Sequence, residues 1–494
     1  MKLFKNYIYS LLYQILSVVL PFITTPYVSR VLGVNGIGRY TLVNTIANYF
    51  ILVGLIGINI YGNRQISYVR DNQVELEQTF WDLNAIRTIT MGITVLAYIL
   101  FVFFFLPAED ILLYLVEIFL LFASLIDISW FFEGLEEFKI IAMRNISIKV
   151  IGVFLIFLLV RDSTDILIYA GILSVTTLVG QGFLWKELFK KVSYRKVKWK
   201  GVKGYIFDIL KLWIPTIAIK IYSSIDKVLL GIITNDVQVG LYTSAQNIVT
   251  LVTTITSTLT SVSLPRTANC YKNNNMQELR KIANLSLGMV SLIALPMTLG
   301  LIGIRNTLVP WFFGKGYEEV STLLLVSAWF ILTVSWSNIF GNQILLACGK
   351  EKIYSIAVVI SAVENIILSI VLIYKIQAMG AVIASILAEY TGMIIMLVNV
   401  RNIIDIHGWI KLILRYSFIS AVMLLLLHFV EALISYSFVA TFVQCIVGIL
   451  FYFSMLLVSF LCLLRNYIFC SHWYRLCRYV WSDRCRRCSR CRCC

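Results

Sequence analysis

Long apolar stretches, separated by short polar gaps, run along the whole chain. Fourteen of them are predicted membrane spans, because a helix of about 16–27 residues can cross a hydrocarbon core of about 30 Å. The expected spans are residues 7–28, 40–61, 81–106, 111–132, 145–160, 166–185, 207–233, 238–264, 282–304, 320–346, 353–374, 379–400, 412–434 and 438–464. Backbone polar groups in lipid must hydrogen-bond within their own segment, as they do in a helix. The pattern therefore predicts an all-α integral membrane protein with fourteen transmembrane helices.

The basic residues predict how these spans are oriented. Most of the 42 Lys and Arg lie at the two ends of the chain and in every second gap between spans. Short loops rich in Lys and Arg stay in the cytoplasm, so both the N- and the C-terminus are expected there. No cleavage pattern of small residues follows the basic N-terminus, which predicts a retained first helix rather than a signal peptide.

Composition supports the membrane class and limits the partners. Hydrophobic residues make up 59% of the chain and charged residues 14%, whereas a soluble domain has about 25% charged residues. The formal net charge of +16 comes largely from the loops that orient the protein. We therefore expect these basic runs to face anionic headgroups of the lipid bilayer, and no nucleic acid.

A repeated sequence pattern predicts two related halves. The segment Gly-Arg-Tyr-Thr from Gly38 has a counterpart, Gly-Leu-Tyr-Thr, from Gly240, and a Leu-Gly pair precedes each of them. The copies lie in spans 1–2 and 7–8. Because an even number of spans separates them, they have the same orientation, as in transporters whose substrate path runs between two parallel halves.

The predicted organisation has five parts. They are a six-helix lobe (1–185), a basic cytoplasmic linker (186–206), a second, pseudo-symmetric six-helix lobe (207–400), two extra helices (401–464) and a basic Cys/Arg-rich cytoplasmic tail (465–494). The spacing of the cysteines in the tail superficially resembles that of metal ligands. However, a zinc site needs four convergent ligands, and these cysteines are crowded by arginines, so no metal site is expected.

Several classes of enzyme are disfavoured. The expected outer loops are too short for a catalytic domain, the chain has only three His, and no glycine-rich phosphate loop follows a strand. We therefore predict a protein that is not an enzyme and that carries no cofactor.

Charged residues inside the spans are the candidate functional groups, because each costs about 2.5–3.5 kcal/mol in the hydrocarbon unless a cavity or a partner receives it. Lys220 lies near the middle of span 7. On a continuous helix it would share one polar stripe with Ser224 and Lys227. The stripe favours a wet interior. The alternative is a structural ion pair in which Asp226 bonds Lys227 or Arg30.

Other intramembrane charges leave two roles open. Arg87, near the start of span 3, either binds substrate or extends its side chain to the cytoplasmic face. Arg30 flanks the first outer loop, where the charge rule expects no cation. Asp127, Glu364 and Glu389 lie in spans 4, 11 and 12, where each either balances a buried cation or binds a coupling H⁺ or Na⁺. Charge balance is favoured for Glu389, and Glu364 stays open.

Several segments resemble Wzx-type polysaccharide, or O-antigen, repeat-unit flippases. These proteins belong to the multidrug/oligosaccharidyl-lipid/polysaccharide exporter superfamily. The resemblance covers all fourteen spans in order and rests on residues 21–33 (PFITTPYVSRVLG) with 36–38, on 127–138 (DISWFFEGLEEF), on 226–231 (DKVLLG), and on 379–385 (MGAVIAS) with Glu389. The Cys/Arg-rich tail departs from the family pattern.

The resemblance implies two six-helix lobes around a central cavity, two additional helices, and a location in the bacterial cytoplasmic membrane. It also implies a cargo, an oligosaccharide on undecaprenyl diphosphate, which moves from the cytoplasmic to the outer leaflet by alternating access. Polysaccharide polymerases and glycosyltransferases of the pathway would be partners. An anionic diphosphate needs fixed cations. The hypothesis therefore assigns it to Lys220, Arg30, Arg87 and Lys227, and assigns charge balance or ion coupling to Asp226, Asp127, Glu364 and Glu389.

Two other functions compete with this one. A cation-coupled multidrug exporter of the same superfamily would need acidic cavity residues for cationic cargo, whereas Lys220 is the most deeply placed charge. A membrane polysaccharide polymerase is disfavoured by the short outer loops, and a glycosyltransferase by the lack of a cytoplasmic domain with an acidic metal motif.

Overall fold

The computed structural model describes residues 2–222, 224–434 and 437–480, and these residues form helices without any strand. The first half contains α1 Lys2–Leu55, α2 Ile58–Val69, α3 Gln73–Phe105, α4 Ala108–Val116, α5 Ile118–Leu125, α6 Ser129–Gly134, α7 Phe138–Leu159 and α8 Ile166–Leu188. The second half contains α9 Trp199–Tyr222, α10 Ile225–Ile233, α11 Asp236–Lys272, α12 Met276–Phe312, α13 Glu318–Ser327, α14 Phe330–Ser337, a π-helix Asn338–Leu346, α15 Glu351–Val400, α16 Ile406–Leu433 and α17 Ser437–Val480. The all-α prediction is confirmed. The end of the Cys/Arg-rich tail, residues 481–494, lies outside the described residues.

The apolar helices are long enough to cross a membrane. Within the described part of the chain, ten helical segments meet this criterion, or eleven if the bent pair Val19–Leu55 and Ile58–Val69 forms one span. The helix α15 counts as one of them, although it covers two expected spans. The number of fourteen spans and the orientation of the termini stay predictions.

Two long helices are broken where the sequence predicts a gap between spans. In α1 the backbone leaves the helical conformation at Gly33, with φ 68° and ψ 177°. Positive φ is accessible to glycine because it lacks a Cβ atom. In α15 the break lies at Ile376 and Gln377. Each break separates two apolar segments whose lengths match single expected spans.

The buried apolar side chains form separate cores in the two halves. The largest core contains buried residues between Leu230 and Trp409, and three smaller cores contain residues between Val28 and Ile209. A fifth core joins α16 and α17 to α12. The predicted lobes, 1–185 and 207–400, stay a prediction, because Ile209 packs in a core of the first half.

The seventh expected span is divided between the two cores. Ile209 in α9 packs into a core of the first half, and the Trp213 indole donates to the Leu52 carbonyl at 3.1 Å. Leu230 in α10 belongs to the core of the second half. The break between α9 and α10 therefore lies where the halves meet.

The basic linker is attached to the ends of the first-half helices. Arg195 pairs with Glu77 at 2.6 Å and Lys191 with Glu137 at 2.7 Å. The Lys198 backbone N–H donates to Asp82 at 2.8 Å. These contacts fix the linker before the chain enters α9.

Candidate functional site

The two halves touch at the end of the molecule that carries the expected outer loops. The Arg30 guanidinium, which is exposed, donates to the Trp311 carbonyl. The Tyr317 hydroxyl donates to the Ser29 carbonyl at 3.3 Å. Both bonds join the first half of α1 to the chain at or just after the end of α12. They close this end in the present conformation, with Arg30 as part of the closure.

Lys220 lies at the last turn of α9 with an exposed side chain. Beside it, the Ser224 hydroxyl donates to the Tyr49 hydroxyl at 3.0 Å, across the boundary between the halves. The Tyr222 hydroxyl donates to Glu389 at 3.1 Å. A lysine at a helix break between two lobes is well placed to meet a substrate that lies between them.

The single polar stripe predicted for span 7 is wrong. It requires a continuous helix, but α9 ends at Tyr222, α10 begins at Ile225, and Ser224 has φ −140° and ψ −2°. Lys220 and Lys227 therefore do not share one helical face. Lys227 is half-buried in the first turn of α10.

Asp226 lies within the second half and is only 5% exposed. Its carboxylate accepts hydrogen bonds from Ser385 at 2.6 Å, Ser369 at 2.8 Å and Tyr242 at 3.0 Å. Among the described residues it forms no salt bridge with Lys227 or Arg30, so the proposed structural ion pair is absent in this conformation. Three hydroxyl groups from α11 and α15 surround the carboxylate instead.

Arg87 is fully buried, at 0% exposure. Its guanidinium donates to the Ser124 carbonyl at 2.6 and 3.1 Å and to Asn59 Oδ1 at 3.0 Å. Asp127 lies 3.9 Å from Nη2, as expected for an acid that balances a buried cation. These contacts join α2, α3 and α5, which gives Arg87 a structural role in addition to any contact with substrate.

The first half contains a cavity of about 560 Å³ between α1, α7 and α8, and polar side chains form part of its lining. Arg144 and Lys149 contribute cationic side chains to its lining, and Asn44 and Asn48 contribute amides. Arg144 is 8% exposed and donates to the Ser129 hydroxyl at 2.8 Å, while Lys149 donates to Ser17 at 2.8 Å. The cavity can therefore receive an anion.

Sequence reasoning missed these two cations. Arg144 precedes the expected span 145–160, but it lies in the second turn of α7. The available signal was the spacing of Asn145 and Lys149, which lie four residues apart and therefore share one helical face. Glu364, by contrast, is half-exposed on α15 beside a shallow apolar groove. The predicted site residues thus contact different elements and do not form one cluster.

Sequence comparisons place the chain among proteins of polysaccharide synthesis. Residues 3–271 match the family described as polysaccharide biosynthesis protein. A putative O-antigen transporter of Escherichia coli K12 is 24% identical over 414 residues, which are 81% of this chain and 97% of the relative. A probable low-salt glycan biosynthesis flippase of Haloferax volcanii is 25% identical over 167 residues, which are 34% of this chain and 35% of that protein.

Solved structures share the fold. The lipid II flippase MurJ in an inward closed conformation has a TM-score of 0.63 at 18% identity, with 90% of this chain and 99% of that chain covered. An inward-facing multidrug transporter of the MATE family has a TM-score of 0.57 at 13% identity, with 78% and 98% covered. The chain therefore has a fold like that of MurJ and the MATE transporter.

Proposed function

The chain belongs to the polysaccharide biosynthesis protein family, and we propose that it is a flippase for lipid-linked oligosaccharides. Its cargo would be a polysaccharide repeat unit on undecaprenyl diphosphate. The protein would move this unit from the cytoplasmic to the outer leaflet of a bacterial cytoplasmic membrane for the synthesis of capsule, exopolysaccharide or O-antigen. Similarity to a putative O-antigen transporter and to a probable glycan biosynthesis flippase supports this proposal.

The cation-lined cavity of the first half is the observation that carries the proposal. A diphosphate must lose water to enter the membrane, and fixed cations with hydrogen-bond donors compensate for that loss. Arg144 and Lys149 supply the charge, while Asn44 and Asn48 supply groups that can bond sugar hydroxyls. The lipid tail could remain in the bilayer during transport.

The closed outer end supports a cycle of alternating access. With fourteen spans and both termini in the cytoplasm, the closure by Arg30 and Tyr317 faces outward. Rocking of one lobe against the other would open this end and close the opposite one. Lys220 and Lys227 would bind the diphosphate near the lobe boundary, and Arg30 would meet it when the outer end opens.

Asp226 is the proposed site of ion coupling in the second half. Its buried carboxylate has hydroxyl donors and forms no salt bridge among the described residues. Burial of an unpaired charge is costly, so a bound H⁺ or Na⁺ would stabilise this arrangement. Glu389 and Glu364 keep their predicted roles in charge balance or coupling.

A multidrug exporter is the less favoured function. The described lining of the first-half cavity includes Arg144 and Lys149 but no Asp or Glu. A positive lining repels cationic drugs and attracts anionic headgroups.

Replacement of Lys220 tests the proposed function. In cells whose only flippase is this protein, Lys220→Ala is expected to reduce surface polysaccharide at least tenfold and to leave lipid-linked repeat units in the inner leaflet. Lys220→Arg keeps the charge and is expected to retain part of the export. Surface polysaccharide is measured by immunoblot, and the intermediates are measured after lipid extraction.

Lys375→Ala is the matched control, because Lys375 is an exposed lysine next to the break in α15. It should leave export unchanged. Normal surface polysaccharide in Lys220→Ala, at an equal amount of membrane protein, would contradict the assignment of Lys220.

A further inference from the structure

Glu117 is a second buried acid, and it lies in the first half of the molecule. It interrupts an expected span, because α4 ends at Val116 and α5 begins at Ile118. Its side chain is 0% exposed. None of the roles discussed above uses this residue.

The polar neighbours of Glu117 are neutral. Oε2 accepts from the Ser174 hydroxyl at 3.3 Å and from the Asn44 amide at 3.5 Å. Oε1 has no hydrogen-bond partner among the described residues. Glu117 also forms no salt bridge with any of these residues. The titratable groups that interact with it electrostatically are the phenols of three tyrosines on α1, α3 and α8, namely Tyr40, Tyr98 and Tyr169.

This environment disfavours a carboxylate anion. An ionised carboxylate needs a cation or several donors to offset its loss of water, and Glu117 has two long hydrogen bonds on one oxygen. A protonated carboxyl group is neutral, and its O–H can act as a donor. The bare oxygen Oε1 is the position left for that proton.

We propose that Glu117 is a proton-binding site of the first lobe, occupied in the conformation with the closed outer end. Asn44, Ser174, Tyr40 and Tyr169 line the same cavity as Arg144 and Lys149. Opening or hydration of this cavity would let the carboxyl group ionise. Proton binding therefore depends on the conformation of the lobe.

The second half contains a related arrangement, which supports the inference. Tyr40 and Tyr242 occupy equivalent positions in the repeated sequence. Tyr242 donates to the buried Asp226 at 3.0 Å. Tyr40 lies one helical turn before Asn44, which donates to the buried Glu117 at 3.5 Å. Each half thus places one buried acid near the repeated tyrosine. The use of the proton in a transport cycle rests on the proposed function, but its binding does not.

Infrared spectroscopy of the purified full chain in lipid nanodiscs tests the proposal directly. At neutral pH, Glu117→Gln is expected to lose part of the carbonyl band of protonated carboxyl groups. Glu109→Gln, an exposed acid at the start of the same segment, should keep the complete band. An unchanged band in Glu117→Gln would overturn the proposal.

Thermal unfolding distinguishes a protonated Glu117 from an ionised Glu117 and from one that binds a metal cation. Because Gln resembles the protonated acid, Glu117→Gln should unfold at the temperature of the unmodified protein at neutral pH and should be less sensitive to alkaline pH. A strong destabilisation at neutral pH would mean that the native group is ionised. The measurement is repeated with Na⁺ and with choline. If Na⁺ stabilises the unmodified protein but not Glu117→Gln, the site binds a metal cation, and the proposal of a bound proton is wrong. No cargo is present in these measurements, so the result stands even if Lys220→Ala contradicts the flippase.

Discussion

At the scale of the residue, burial separates the intramembrane cations into two groups. Lys220 and Arg30 have exposed side chains, whereas Arg87 has none of its surface exposed. The guanidinium of Arg87 already donates to Ser124 and Asn59. An arginine with satisfied donors stabilises the lobe, and a substrate could reach it only if these bonds break.

Replacement of Arg87 decides between its two roles. In Arg87→Ala, the Ser124 carbonyl and Asn59 lose their buried donors, and each unsatisfied group costs about 1–3 kcal/mol. We therefore expect a lower melting temperature in detergent. Arg87→Lys should recover little, since an ammonium group cannot form the same fork of hydrogen bonds.

Arg161→Ala is the control, because Arg161 is an exposed arginine in a loop. It should melt like the unmodified protein. If Arg87→Ala also melts normally but exports no polysaccharide, Arg87 is a substrate ligand, as the sequence hypothesis states.

At the scale of the element, two helices approach each other backbone to backbone at the outer end. A Cβ atom on Gly38 would lie 1.7 Å from the Asp236 carbonyl oxygen and 2.8 Å from the Gly240 nitrogen. A Cβ atom on Gly240 would lie 2.1 Å from the Val34 carbonyl oxygen. Glycine is required here by close contact, so these two positions determine how tightly α1 and α11 can pack.

Gly38→Ala is expected to hold the outer end partly open, because the added methyl group overlaps the backbone of α11. The readout is Ser29→Cys in a cysteine-free chain, since Ser29 is 1% exposed in the closed state. A membrane-impermeant maleimide added to intact cells should label this cysteine several times faster in Gly38→Ala.

The matched control is Gly92→Ala, because a Cβ atom there has no neighbour within 4 Å. Both substitutions replace glycine with alanine inside a helix, so both increase helix propensity by the same amount. Equal labelling rates in the two variants would refute the role assigned to Gly38.

At the scale of the whole molecule, the repeated segments pack against each other. The copy around Gly38 in the first half contacts the copy around Gly240 in the second half. Gly231, which precedes the second copy, lies against Leu42 of the first. The contact between the two halves at the expected outer end is thus built from the repeat itself, and the proposed alternating access would have to separate it.

A disulfide across this contact is expected to stop transport. The Cγ atom of Leu42 lies 3.2 Å from the ideal Cβ position of Gly231, so a cysteine at each position would bring the two sulfur atoms close together. Oxidation of Leu42→Cys with Gly231→Cys, in a chain without other cysteines, should abolish surface polysaccharide, and a reductant should restore it.

Each single cysteine variant should export polysaccharide with or without oxidant. Continued export by fully cross-linked protein would show that the outer end does not have to open, and alternating access would then be wrong.

The sequence by itself determined the membrane class, the helical fold and the family. Hydropathy predicts these features because each polar group in lipid has a large cost wherever the helix lies. The breaks at Gly33 and near Gln377 also fall in gaps that the sequence predicts. The high cost of a charge in lipid also identified the lysine in the middle of span 7 as a candidate functional residue.

Only the tertiary structure decided which charged groups meet. Asp226 is bonded by hydroxyl groups that are far away in sequence, Arg87 is enclosed by carbonyl and amide oxygens, and Arg144 lines a cavity although the sequence placed it in a loop. The rotation of each helix and the break after Tyr222 depend on packing between helices. Hydropathy along a single chain does not contain that information, because many rotations bury the same number of apolar residues.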